Sequence, residues 1–107
     1  MDYNINGVII SEEKLNEYYD RLINEIFKIL GIYESCEKTE DFTKYISYLD
    51  KVIPQLKGTY DILGNVVFLS LTTTLIGMQD YELLTHKKVR SLVFHCIDMI
   101  TKTKVVS

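Results

Sequence analysis

Thirteen residues, LTHKKVRSLVFHC at 84–96, hold both histidines, one of the two cysteines, one of the two arginines and a pair of lysines. Such a set could serve a thiol nucleophile, a metal ion or a phosphate group. Helical geometry divides it. At about 100° per residue, Val89, Val93, Cys96 and Ile100 share one narrow stripe, which Leu92, Ile97 and Met99 widen. Cys96 therefore belongs to a core face, whereas a nucleophilic thiol needs a base and partial exposure. His95 points away from Cys96, towards Lys88 and Lys102. His86 and His95 lie nine residues apart and have no third ligand beside them, so no metal and no cofactor are expected. The acids of YESCEKTED, namely Glu34, Glu37, Glu40 and Asp41, offer hard oxygen donors. They read as a solvated charge run in a loop. His86, Lys87, Lys88 and Arg90 make a single basic turn in a chain of pI about 5.3, slight evidence for nucleic acid. The five glycines are isolated, which excludes phosphate-cradling loops.

The elements that would carry these residues are helical. A chain of 107 residues, 47% hydrophobic and 25% charged, is expected to form one domain, 1–107, with its own core. One proline and no tryptophan favour long helices. Ser11 is placed to cap a helix over 12–30, with Leu15, Tyr18, Tyr19, Leu22, Ile23, Ile26, Ile29 and Leu30 at helical spacing and Gly31 as its stop. A second helix, 40–57, carries Phe42, Tyr45, Ile46, Leu49, Val52, Ile53 and Leu56. Pro54 should kink or end it, and Gly58 closes it. The third segment, 60–77, is apolar nearly all round: Val66, Val67, Phe68, Leu69, Leu71, Leu75 and Ile76. Helix or buried strand would both suit it. Helix fits the neighbouring elements, as a central rod with Ser70 and Thr74 on one side for close approach. Asp80 would cap a fourth helix over 81–102. The expected architecture is all-α, an antiparallel four-helix bundle. An Asn6-Gly7 turn between apolar residues allows a short N-terminal β-hairpin over 4–10. The opening MDYNINGVII has no cationic leader and the cysteines lack CxxC spacing, so a cytoplasmic protein with reduced thiols is expected. The uncharged run 62–79 is too polar to cross a membrane well.

The local sequence VRSLVFHCID, with Arg90 and His95 in an Arg-x4-His spacing on a late helix, resembles the HEPN family of ribonucleases and nucleic-acid-binding domains. The resemblance covers about ten residues. Ser91 stands where that family has a polar amide, and Ile97 where it often has an aromatic. It implies a dimer that acts on the RNA phosphodiester without metal. Arg90 would stabilise phosphate charge and His95 would move protons.

Charge distribution points elsewhere. Residues 1–41 carry ten acids and four bases, whereas 42–107 carry five acids and eight bases. On the first helix Glu13, Glu17 and Asp20 share one polar strip with Asn24, flanked by tyrosine edges. Glu13 and Glu17 repel at i,i+4, and Arg21 offsets part of this through Glu17. Such a strip suits a cationic protein partner. Phe94 projects off the core stripe towards Lys87 and Asp98 and would add an aromatic contact. In shape and acidity the chain is similar to bacterial immunity proteins, which cover a toxin's active site with an acidic face. The favoured expectation is a non-catalytic inhibitor of the immunity or antitoxin kind, binding a basic toxin or effector through Glu13, Glu17, Asp20, Asn24 and Phe94. A HEPN-like dimer is the alternative. A structural subunit of a larger assembly is a third, and it would leave extensive apolar surface exposed.

Overall fold

The computed structural model describes residues 2–5 and 8–104. Two short strands, β1 (Asp2–Ile5) and β2 (Val8–Ser11), pair antiparallel with Ile5 opposite Val8. The proposed Asn6-Gly7 turn lies outside the described residues. Four helices follow: α1 (Glu12–Thr39), α2 (Thr43–Leu63), α3 (Val66–Met78) and α4 (His86–Thr103). A 3₁₀ turn, Tyr81–Leu83, precedes α4. The protein is an all-α antiparallel four-helix bundle with a small N-terminal hairpin. Each helix packs on its two neighbours, with α4 returning beside α1.

The helices are longer and differently bounded than their punctuation suggests. Gly31 does not stop α1, because Tyr33 and Cys36 continue the buried stripe of Leu22, Ile26 and Ile29. Glu34 and Glu37 therefore sit on a helix, not in a loop. The chain turns at Glu40, the left-handed cap of α1 (φ 57°). The second helix starts at Thr43, not near 40. Asp41 accepts hydrogen bonds from the Thr43 backbone N–H (3.0 Å) and hydroxyl (2.6 Å), and these hold its carboxyl below the usual range.

Pro54 and Gly58 both lie inside α2. Proline in a helix interior costs about 3 kcal/mol and glycine about 1. Leu49, Val52, Leu56 and Thr59 are buried on either side of the exposed Pro54, and burial of each large apolar side chain returns about 1.5–3 kcal/mol. The actual break comes at Gly64 (φ 69°), whose N–H bonds Tyr60 O. Asn65 then caps α3 by accepting from the Val67 N–H. Residues 60–63 thus belong to α2. Asp80 makes no side-chain cap bond, and Thr85 caps α4 through the Lys88 N–H.

The third segment is helical, which settles helix against strand, but it is not the central rod. Phe68, Leu71, Thr72, Leu75 and Met78 are buried, while Val66, Leu69 and Ile76 are exposed. Ser70 and Thr74 do not line a close helix contact; Thr74 donates to Ser70 O on the outer side, and the buried small residue is Thr72. The core is shared instead by all four stripes, and that of α4 consists of Val89, Val93, Cys96 and Ile100.

The tyrosines have a structural explanation. For four of them, Tyr18, Tyr33, Tyr45 and Tyr48, the ring is buried or half-buried and the hydroxyl reaches a polar atom on another segment. Tyr45 donates to Met78 O (2.6 Å), Tyr48 to Glu25 O (2.7 Å) and Tyr33 to Leu84 O (3.3 Å). The Tyr18 hydroxyl bonds Thr59. Phe42 stacks on Tyr81 at one end of the bundle, with ring centroids 4.4 Å apart.

Candidate functional site

Helices α1 and α4 run antiparallel and form one continuous face, marked by three contacts. Lys104 Nζ lies 2.6 Å from Asp20 Oδ1 at one end. Phe27 meets Phe94 edge to face in the middle, with centroids 6.1 Å apart. His86 Nε2 lies 2.7 Å from Glu34 Oε1 at the other end. Successive contacts are seven residues apart along α1 and eight to ten along the α4 side, about two to three turns.

The expected strip is present on this face. Glu13, Glu17, Asp20 and Asn24 are all exposed on α1. Phe27 occupies the next position of the same strip, three residues after Asn24, and was not among the expected contact residues. Its signal was the placement of a large aromatic where the helical wheel wants a polar group. Phe27 is 52% exposed and Phe94 44%, so the pair is a surface feature that spans both helices. The Arg90 guanidinium lies over the Phe94 ring, 5.8 Å from its centroid, in cation–π geometry.

Two details of the strip differ from expectation. The tyrosines do not flank it with exposed edges: Tyr19 is buried, and Tyr18 is half-buried against Thr59. Arg21 does not pair with Glu17; its guanidinium stands over the Tyr18 ring at 5.1 Å. Among the described residues, Glu13 and Glu17 make no ion pair, whereas Asp20 is engaged by Lys104.

The residues of the 84–96 segment separate. Cys96 is fully buried, and burial pushes its thiol up to about 11, so little thiolate exists near neutrality. Cys36 is buried as well, and both thiols are free. His86 is held by Glu34. His95 is exposed on the side of α4 opposite the core, without a hydrogen bond or ion pair among the described residues. Five residues of regular helix set Arg90 and His95 about 140° apart, with Arg90 turned towards α1. Lys87 and Lys88 stand exposed in the first turn of α4, where the helix dipole disfavours cations.

A shallow groove of about 510 Å³ between α1 and α2 is lined by Gly31, Ser35, Lys44, Ser47, Tyr48 and Lys51 among others. Among the described residues, no group of three or more His, Cys, Asp or Glu side chains is placed to hold a metal ion. Among the described residues, no helix is long and apolar enough to cross a membrane. No protein-family model, curated protein or solved structure matches the chain.

Proposed function

We propose that this protein works by binding another protein through the α1–α4 face. One observation carries the reading: an exposed aromatic pair, Phe27 and Phe94, adjoins the exposed acidic strip of Glu13, Glu17 and Asp20. Aromatic anchors beside a charged border are how interfaces concentrate affinity while charge sets encounter rate and orientation. The fitting partner is cationic near the α1 N-terminal half and presents an apolar cleft or side chain to the phenylalanines. The most concrete version is an immunity or antitoxin-type inhibitor of a basic toxin. It would act in the cytoplasm, where the buried thiols Cys36 and Cys96 stay reduced.

The test is co-purification of the intact chain from its native host, followed by affinity measurement with the identified partner. Charge reversal at Glu13, Glu17 and Asp20 together should weaken binding at least tenfold, as should Phe27→Ala with Phe94→Ala. Unchanged affinity in both variants would remove the assignment. Metal-independent RNA cleavage by the purified chain, abolished by His95→Ala, would replace it with the HEPN-like reading. That reading requires a second copy to bring His95 near Arg90.

A further inference from the structure

The outward side of α3 has no counterpart on the other three helices. The thirteen residues VVFLSLTTTLIGM carry no charge. Once the buried side is removed, Val66, Leu69, Ser70, Thr73, Ile76 and Gly77 are left facing outward. Val66 is 66% exposed, Leu69 46% and Ile76 53%, and Ile62 at the end of α2 is exposed beside the turn. A solvated bundle helix normally carries charge on this side, as α1, α2 and α4 do. Together these side chains present on the order of 500 Å² of mainly apolar surface, the size of the largest patch on a typical monomer, which is often functional.

We infer that α3 is a homodimer interface, in which two copies of this chain cross antiparallel about a two-fold axis at Thr73. The large and small residues of the stripe support this occupant. A two-fold interface must be self-complementary: if residue i meets j, then j meets i. With Thr73 on the axis, Leu69 of one copy comes opposite Gly77 of the other, and Ile76 opposite Ser70. Each bulky side chain meets a small one, and the relation holds both ways. The space is available, because a side chain begun at Gly77 would meet nothing within 4 Å in the single chain. Helical geometry at Gly77 does not require glycine, and glycine there weakens the helix.

Charge favours a second copy over a foreign partner. The chain carries a net charge of −3, so two copies repel over most of their surfaces. They meet without like-charge opposition where α3 is neutral. A strongly basic or acidic partner would find no ion pair to make on this helix. The area also agrees: about 500 Å² from each copy gives roughly 1,000 Å² in total, near the lower limit for a specific interface and suited to a reversible dimer. This inference is independent of the α1–α4 face and does not require its partner.

The experiment is sedimentation velocity on the full chain across a wide concentration range. A reversible monomer–dimer equilibrium is expected. Gly77→Leu fills the recess and should weaken dimerisation by at least tenfold, while the monomer melts at the same or a higher temperature. Leu69→Glu alone should do the same, and the double variant Leu69→Glu/Gly77→Lys should restore dimer through two symmetric charge pairs. Thr73→Cys provides a direct test of the axis. Because Cys36 and Cys96 are buried, mild oxidation should link two copies through the introduced thiol, whereas Ser91→Cys on α4 should stay unlinked. A wild-type chain that remains monomeric throughout overturns the proposal. A dimer indifferent to Gly77→Leu and Leu69→Glu, or one that crosslinks through Ser91→Cys and not Thr73→Cys, overturns it as well.

Discussion

At the scale of single residues, burial decides which reactive side chains are available. Cys96 falls on the core stripe of α4, and its placement followed from spacing alone. The same burial produces a pH dependence. Cys96 is pushed up to about 11, and burial raises Tyr45, Tyr33 and Tyr48 above the ordinary phenol value. These groups stay protonated in the folded chain after they have begun to ionise in the unfolded one. The unfolded state then binds fewer protons, so stability falls as pH rises. Stability should be fully present below about pH 8.5, and should decline from there through pH 11 as thiol and then phenol groups ionise. Each group ionised only in the unfolded state contributes a slope of about 1.4 kcal/mol per pH unit. Urea melts between pH 7 and 11 check this. A flat midpoint would mean that these groups ionise without unfolding.

At the scale of elements, the apolar stripes were legible and the ends were not. Spacing identified Leu15, Leu22, Ile26, Leu49, Leu56, Val89 and Val93 as interior. Gly31, Pro54 and Gly58 looked like stops because their local cost is real, but the stripes of α1 and α2 run through them. That cost should be recoverable. Pro54 is exposed within α2, so Pro54→Ala should raise stability by about 1–3 kcal/mol, with the greater freedom of the unfolded alanine chain offsetting part of the gain. Thermal melting with unchanged helicity is the check. Glu40 is a second such position. Its left-handed conformation (φ 57°) strains any side chain, and Glu40→Gly should stabilise by about 0.5–1 kcal/mol in chemical denaturation. A loss on either substitution would mean that the native side chain makes a compensating interaction.

At the scale of the whole molecule, the antiparallel register of α1 and α4 turns separate residues into a surface. Asp20, Phe27 and Glu34 come beside Lys104, Phe94 and His86, respectively. The acidic strip was visible in the sequence, because Glu13, Glu17, Asp20 and Asn24 recur at helical spacing. The aromatic half was only partly visible: Phe94 stood out on its own wheel, and Phe27 gained meaning when the two helices met. Association through this surface should be salt-dependent. Raising ionic strength from 0.05 to about 0.5 M should slow association several-fold while leaving dissociation nearly constant, since exposed charges are screened over about 10 Å at 0.1 M. Stopped-flow or biosensor kinetics with the partner would show it. A salt-independent on-rate would assign the recognition to the phenylalanines alone.

The sequence by itself determined the helical class, the core stripes of α1, α2 and α4, the interior position of Cys96 and the exposed acidic strip. Each follows from one helix's own periodicity, because a wheel needs only local spacing. Tertiary structure alone decided where the helices end, which side of α3 is left uncovered, and that Phe27 meets Phe94. A helix end depends on whether burial beyond a glycine or proline outweighs its local cost, and burial is supplied by neighbours distant in sequence. An all-apolar helix such as α3 gives no periodic sign of its buried side. Only packing against α2 and α4 separated Phe68, Leu71 and Leu75 from Leu69 and Ile76.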